Sequence, residues 1–258
     1  MSSNTNTPFA NTLTASTLDT PLWVIVPAAG TGQRLGGDIA KQYQLLDGVS
    51  MLERTIDRLL ELPQLAGLVV VLAKNDKHWS MLSNDADARI VTTTGGDTRA
   101  ESVLAGIECA LQHAPDETWM MVHDAARPLV AISDIQRLIN VVYNNGAIGG
   151  LLAVPVQDTL KKADEYANVI QTVERQDLWH AQTPQMFRGA QLRSALKNAL
   201  STQPGMITDE ASAMELAGHD PQLVEALRPN VKITRPVDQE MACALLMLER
   251  LSKDLASA

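Results

Sequence analysis

In the stretch VPAAGTGQRLGGDIAKQY, residues 26–43, positions with little or no side chain precede two cations. The small residues are Ala28, Ala29, Gly30 and Gly32; the cations are Arg34 and Lys41. Bare backbone lets a ligand come close, and successive N–H groups in a turn form a concavity that holds anions. Arg34 and Lys41 would add positive charge where the negative charge of a phosphate chain collects. Phosphoryl transfer asks for this combination, because the protein's part in it is mainly positioning and electrostatic stabilisation. Two better-known phosphate motifs do not fit. A dinucleotide fingerprint needs a third glycine, and Leu35 stands at that position; a P-loop needs Gly-Lys-Ser/Thr, and Lys41 lies between Ala40 and Gln42. The plain structural alternative is a tight strand-to-helix turn with two surface cations.

Further along, GGDTRAES at 95–102 leads into a helical pattern, and Asp97 is placed to cap it by accepting backbone N–H bonds. In HDAARP, 123–128, Asp124 sits just past the apolar run 119–122. A carboxylate there can bind ribose or substrate hydroxyls, or a metal-bound water. Arg127 can grip a phosphate with two parallel bonds; otherwise Asp124 and Arg127 simply close a turn. His123 reads as a structural hydrogen-bonding residue. The five histidines are scattered and show no zinc-site spacing. Lys232, between Val231 and Ile233, points away from both on a strand, toward a site or toward solvent. In ITDEASAMEL, Thr208 is the expected N-cap, without a full capping box because Ala211 stands at N3; Asp209 and Glu210 suit the positive helix end, and the segment reads as structural.

These residues need a frame. Strand-length apolar runs recur at 22–26, 68–72, 90–93, 119–122 and 150–154. Between them lie amphipathic helical patterns at 51–62, 99–111 and 133–143, the last with Ser133 as N-cap. Alternating strands and helices predict an α/β fold: a single-domain, Rossmann-like, mostly parallel twisted sheet with helices on both faces. Ligands of such sheets bind beyond the carboxyl ends of the strands. After Pro155 the rhythm breaks. VQDTLKK and NVIQTVE, separated by ADEYA, predict a projecting β-arm at about 156–178. A lone hairpin is marginal in water, so the arm should pack on something. A second subunit is the expected partner, with folding back onto its own domain as the alternative. Helical patterns resume at 190–200 and 209–216, a strand pair is expected at 222–225 and 231–233, and a last helix runs from Pro236 to about Leu251.

Bulk properties narrow the function. The chain has 258 residues, 45% of them hydrophobic and 20% charged, enough for a packed core. A net charge of −9 disfavours nucleic acid or an anionic membrane as partner. A polyanionic ligand must then be held locally, and a divalent cation would help to screen it. The two cysteines, Cys109 and Cys243, read as core thiols in a reducing cytoplasm. Residues 1–20, polar and without Lys or Arg, read as a disordered tail that carries no targeting signal; the domain is expected to fill 21–258.

The opening turn resembles the signature of nucleotidyltransferases that activate sugar and polyol phosphates. TGGDTRAESVLAGI, VHDAARPLV, AVPVQDTLK, WHAQTPQMF, ITDEASAMEL and VKITRPVD follow in order. Together they make the chain, over 22–246, similar to 2-C-methyl-D-erythritol 4-phosphate cytidylyltransferases of the non-mevalonate isoprenoid pathway. The resemblance implies that Ala28, Ala29, Gly30 and Gly32 wrap the triphosphate of CTP, and that Arg34 and Lys41 stabilise the transition state at the α-phosphorus. It implies that Gly96, Asp97 and Ser102 read the cytosine and its surroundings. Asp124, Arg127, Thr159, Arg175, Thr183 and Lys232 would handle the polyol phosphate. Thr159 and Arg175 would do so in trans, from an arm exchanged within a homodimer. Mg²⁺ would ride mainly on the nucleotide phosphates, with Asp124 the one candidate protein contact. The family often has Pro before the lysine; Ala40 here should loosen that loop slightly. No fused downstream cyclase domain is expected, since the chain ends soon after its last helix. Two rival functions remain at this stage: a ribitol-5-phosphate cytidylyltransferase, and a nucleotide-binding regulator without turnover. An NAD-dependent oxidoreductase is disfavoured by the missing glycine.

Overall fold

The structure is a computed structural model that describes residues 21–30 and 39–257. The expected tail, Gly32 and Arg34 lie outside the described residues.

The five apolar runs become β1 (Leu22–Pro27), β4 (Leu65–Leu72), β5 (Ile90–Thr94), β6 (Trp119–Val122) and β7 (Gly149–Pro155). With β10 (Trp179–Arg188) and β11 (Gln222–Glu225) they form one seven-stranded sheet, ordered β11-β7-β10-β6-β1-β4-β5. Neighbours pair in parallel except at β10, which runs antiparallel to both β6 and β7. A two-stranded ribbon, β2 (Leu45–Leu46) with β3 (Val49–Ser50), leads into the first helix.

Both faces of the sheet are covered, as the strands' continuous apolar runs require. On one face Val24, Val26, Leu68, Val70 and Met121 meet α1 (Met51–Leu60) and α3 (Ile132–Asn144). On the other, Trp23, Ile25, Val69, Val71 and Met120 meet α2 (Arg99–Ala110), α4 (Gly189–Thr202) and α5 (Glu210–Leu216). Successive β1 side chains therefore point to opposite layers. From α1, Leu52, Ile56 and Leu59 are fully buried, each contributing about 1.5–3 kcal/mol. The long α6 (Pro236–Ser257) packs Ala242 and Leu246 on a smaller cluster with Leu46, Met51, Leu129 and Ile233.

Several local expectations are corrected. The cap of α2 is Thr98, not Asp97: its side chain accepts from Glu101 N–H while Glu101 accepts from Thr98 N–H. The cap of α5 is Asp209, not Thr208, with Ser212 completing a capping box. Helix α3 begins at Ile132, one residue before Ser133, and its N-cap Ala131 gives no side-chain bond. Residues 231–233 form no strand; Ile233 N–H bonds Ala126 O at 2.9 Å, fastening this segment to the loop after β6. Helix α6 continues past Leu251 to Ser257. Strand β10 was not anticipated, because WHAQTPQ is polar and Pro184 interrupts it. A break in register between Ala181 and Gln185 takes up the proline.

The arm is a hairpin of β8 (Leu160–Ala163) and β9 (Val169–Val173) that pairs only with itself. Tyr166, Val169 and Ile170 are exposed, so the arm does not fold back to bury them on its own sheet.

Candidate active site

The cleft lies beyond the carboxyl ends of β1, β5 and β6 and has a volume of about 260 Å³. Ala28, Ala29 and Gly30 line it after β1, Gly96, Asp97 and Ser102 after β5, and Asp124 after β6; Lys41 and Lys232 complete the set. A parallel sheet brings these separate stretches together because every βα loop leaves from the same edge. The backbone of the first bend is tied down where Ala28 N–H bonds Val71 O at 2.8 Å. Gly95 and Gly96 must stay small. A Cβ on Gly95 would lie 2.6 Å from Ala29 Cβ, and one on Gly96 2.5 Å from Glu101 Cβ.

Electrostatics centre on Asp124, which is buried. Arg99 donates to its Oδ1 through Nε at 3.1 Å and Nη2 at 2.9 Å; Lys232 Nζ meets Oδ2 at 2.8 Å. Burial alone would raise the Asp124 pKa, but Arg99, Lys232 and Arg127 together hold it below the usual carboxylate range. Arg99 is itself shared, donating to Glu210 through Nη1 at 2.6 Å and Nη2 at 3.2 Å. Burial of Glu210 outweighs the attraction of Arg99 and raises its pKa. Arg99 and Glu210 were missed as site residues. The arginine sits inside the quoted GGDTRAES stretch and the acid inside a segment read as structural. Only their meeting across 111 positions reveals the pair.

Arg127 and Thr183 lie beneath the cleft and do not line it. Arg127 Nη1 donates to Asn230 O at 2.7 Å, and its Nε is 3.9 Å from Asp124 Oδ2. Thr183 Oγ1 accepts from Asp124 N–H at 3.0 Å and lies 3.2 Å from His123 Nδ1. His123 Nε2 contacts Arg127 O at 3.0 Å. Burial pushes the His123 pKa down to about 4, so the ring is neutral near pH 7 and frames the loop, as its type and setting suggested. Ser102 lines the cleft while its hydroxyl donates to Thr98 O at 2.9 Å. Thr159 and Arg175 are exposed on the arm and do not line the cleft; Arg175 borders a separate hollow at the arm's base with Gln157 and Trp179.

Among the described residues no group of three or more His, Cys, Asp or Glu could hold a metal. Asp124, the one metal contact expected, has both oxygens engaged by cations. That donor set does not suit a resident Mg²⁺, which binds through one or two free carboxylates and phosphates.

The family model of IspD, 2-C-methyl-D-erythritol 4-phosphate cytidylyltransferase, matches residues 22–249. The chain belongs to this family. A curated 2-C-methyl-D-erythritol 4-phosphate cytidylyltransferase from Ectopseudomonas mendocina is 48% identical over 223 residues, 86% of this chain and 94% of that protein. One from Vibrio parahaemolyticus is 46% identical, covering 88% and 95% of the two chains. Among solved structures of the cytidylyltransferase family, the Francisella tularensis enzyme superposes with a TM-score of 0.76 at 34% identity. The match spans 86% of this chain and 98% of that one. A crystal structure of 4-diphosphocytidyl-2C-methyl-D-erythritol synthase gives the same TM-score and identity, covering 88% and 99%. The mostly parallel sheet is thus that of the cytidylyltransferase family.

Proposed function

We propose that this chain transfers CMP from CTP to 2-C-methyl-D-erythritol 4-phosphate. The products are 4-diphosphocytidyl-2-C-methyl-D-erythritol and pyrophosphate, in isoprenoid precursor synthesis. The observation that carries the reading is the convergence, in one cleft of a family member, of the Ala28–Gly30 backbone with Lys41, Asp124 and Lys232. An oxygen of the 4-phosphate attacks the α-phosphorus of CTP in line. The bond from that phosphorus to the bridging oxygen breaks, and its electrons leave with pyrophosphate. The attacking phosphate is already an anion near neutral pH, so no strong base is needed. The obstacle is repulsion between two anions. Lys41 and Arg34 offset it by stabilising charge at the α-phosphorus. The Ala28–Gly30 amides cradle the triphosphate, and Gly96, Asp97 and Ser102 form the wall toward the cytosine.

Lys232, salt-bridged to Asp124 and partly exposed, is placed to take up the second substrate's phosphate. Arg127 and Thr183 support this by holding the Asp124 loop from below. Mg²⁺ belongs to the substrate, arriving on the nucleotide phosphates as MgCTP; no step is assigned to a protein-held metal. The arm is read as exchanged in a homodimer, bringing Thr159 and Arg175 to the partner's cleft. Its exposed Val169 and Ile170 support that reading. Action in the cytoplasm fits a chain in which, among the described residues, no helix is long and apolar enough to cross a membrane.

The test is pyrophosphate release with MgCTP and either 2-C-methyl-D-erythritol 4-phosphate or ribitol 5-phosphate. Turnover with the branched tetritol phosphate and roughly 10- to 200-fold lower kcat/KM with ribitol 5-phosphate is expected, the discrimination that a fitted pocket gives against a difference of about one carbon unit. Equal or better use of ribitol 5-phosphate, or no release with either, would refute the assignment.

A further inference from the structure

The turn that carries Lys41 has little structure of its own. Residues Lys41–Tyr43 make a single 3-10 turn, closed by Tyr43 N–H to Ala40 O at 2.9 Å and Gln44 N–H to Lys41 O at 3.1 Å. So short a turn does not stand by itself. Two side chains moor it. Gln42, buried, donates from Nε2 to Ala28 O at 2.6 Å, crossing from the lysine turn to the start of the phosphate bend. Tyr43 donates its hydroxyl to Asp76 Oδ2 at 2.8 Å. Asp76 in turn accepts the N–H groups of His78 and Trp79, both at 2.9 Å, in the loop that follows β4.

We propose that Gln42 is a positioning residue for CMP transfer: by clamping the Ala28 carbonyl it fixes the Lys41 backbone relative to the bend, with Tyr43 as a second mooring. The inference rests on the proposed role of Lys41. A lysine side chain has many rotamers and stabilises a moving phosphorus only from a fixed origin. Misplacement of about 1 Å can cost on the order of 100-fold in rate. Gln42 borders the cleft, but its amide nitrogen is engaged by the protein, which separates positioning from direct contact with the nucleotide. Lys41 and Gln42 point to different neighbours because adjacent residues of a turn diverge, so one can face the cleft while the other anchors the backbone.

Gln42→Met keeps length and bulk and removes the amide, including the nitrogen that donates to Ala28 O; Tyr43→Phe removes a single oxygen. Each is made in the full chain with Lys41 and with Lys41→Ala. The readouts are steady-state pyrophosphate release and thermal melting. Gln42→Met should lower kcat about 10-fold while KM for CTP moves less than about 3-fold, and should change kcat less than about 2-fold once Lys41 is Ala, since a residue acting through another has no separate effect. An equal loss in both backgrounds, or no loss beside Lys41, overturns the proposal alone. An undiminished kcat in Lys41→Ala by itself brings down the role of Lys41 and this inference together. If Gln42→Met melts below the assay temperature, the Tyr43→Phe pair decides by the same criterion.

Discussion

One carboxylate, Asp124, gathers Arg99, Lys232 and Arg127, and so turns three mutually repelling cations into an ordered group beside the cleft. Lys41 reaches the cleft from a different loop, and the proposed function assigns it to the nucleotide and Lys232 to the second substrate. Lys41→Ala is expected to lower kcat about 100- to 1,000-fold, the usual effect of removing one donor aimed at developing charge. Affinity for CTP should change far less; an equal loss of affinity with kcat intact would contradict the role. Below the cleft, His123 predicts an acid-labile fold. Its folded pKa, about 4, lies under its ordinary value of 6.5, so the unfolded chain binds more protons between them. The stability it contributes is therefore full above pH 6.5 and falls as pH drops toward 4, by roughly 3 kcal/mol at 1.36 kcal/mol per unit. Asp124, held low by its cations, loses its contribution at still lower pH. Melting temperatures across pH 7.5 to 4 should show the decline, and His123→Gln should flatten it even while lowering the curve throughout.

Helix α2 illustrates how an element delivers residues. Its capping box at Thr98 and Glu101 fixes where the helix starts, which places Arg99 at the mouth and Ser102 one turn in. Its seat depends on Gly106, where a Cβ would lie 2.5 Å from Ile25 Cγ2 and 2.8 Å from Val71 Cγ2. Both neighbours are fully buried on central strands and have no room to swing away. Gly106→Ala gains up to about 1 kcal/mol in helix propensity but costs about 1–3 kcal/mol in overpacking, and the second effect should win. A lower urea midpoint at unchanged slope is the expected result; an unchanged or raised midpoint would show that α2 can back off freely. Helices α1 and α2 were legible from their apolar spacing, and β1, β4, β5 and β6 from their apolar runs. Their caps were less so: Thr98 and Asp97 are both good cap residues, as are Asp209 and Thr208, and only the backbone geometry chooses. Strand β10 was illegible because its sheet position, between β6 and β7, buries the polar Gln185 and Thr183, which form no apolar run.

Across the whole molecule, the net charge of −9 repels nucleotides, and the cleft overcomes this only with cations converging from separate loops. The arm extends the question beyond one chain, since Thr159 and Arg175 stand apart from the cleft of their own subunit. If arms are exchanged, Lys41→Ala and Arg175→Ala chains, each nearly inactive alone, should complement when unfolded and refolded together. Half of the random dimers are mixed, and one of the two clefts in each then has both residues intact. Recovery of roughly a quarter of the wild-type activity is expected for a symmetric C₂ pair. No recovery would mean that Arg175 acts within its own chain, and full activity of Arg175→Ala alone would mean that it does not act at all.

The sequence by itself determined the alternation of strand and helix, the family, and which loops border the cleft. The alternation follows from local periodicity and the loops from residue types at short spacing, whereas the family follows from the resemblance of its ordered motifs. It identified Asp124, Lys41 and Lys232 as bearing on one site. Tertiary structure decided what each group faces: Arg99 bridges Asp124 to a buried Glu210, Arg127 and Thr183 lie under the floor, and Gln42 reaches back to Ala28. Those contacts join residues far apart in the chain, and their strength depends on burial and on distances of a few ångströms. Neither quantity exists until the sheet has brought the loops together at one edge.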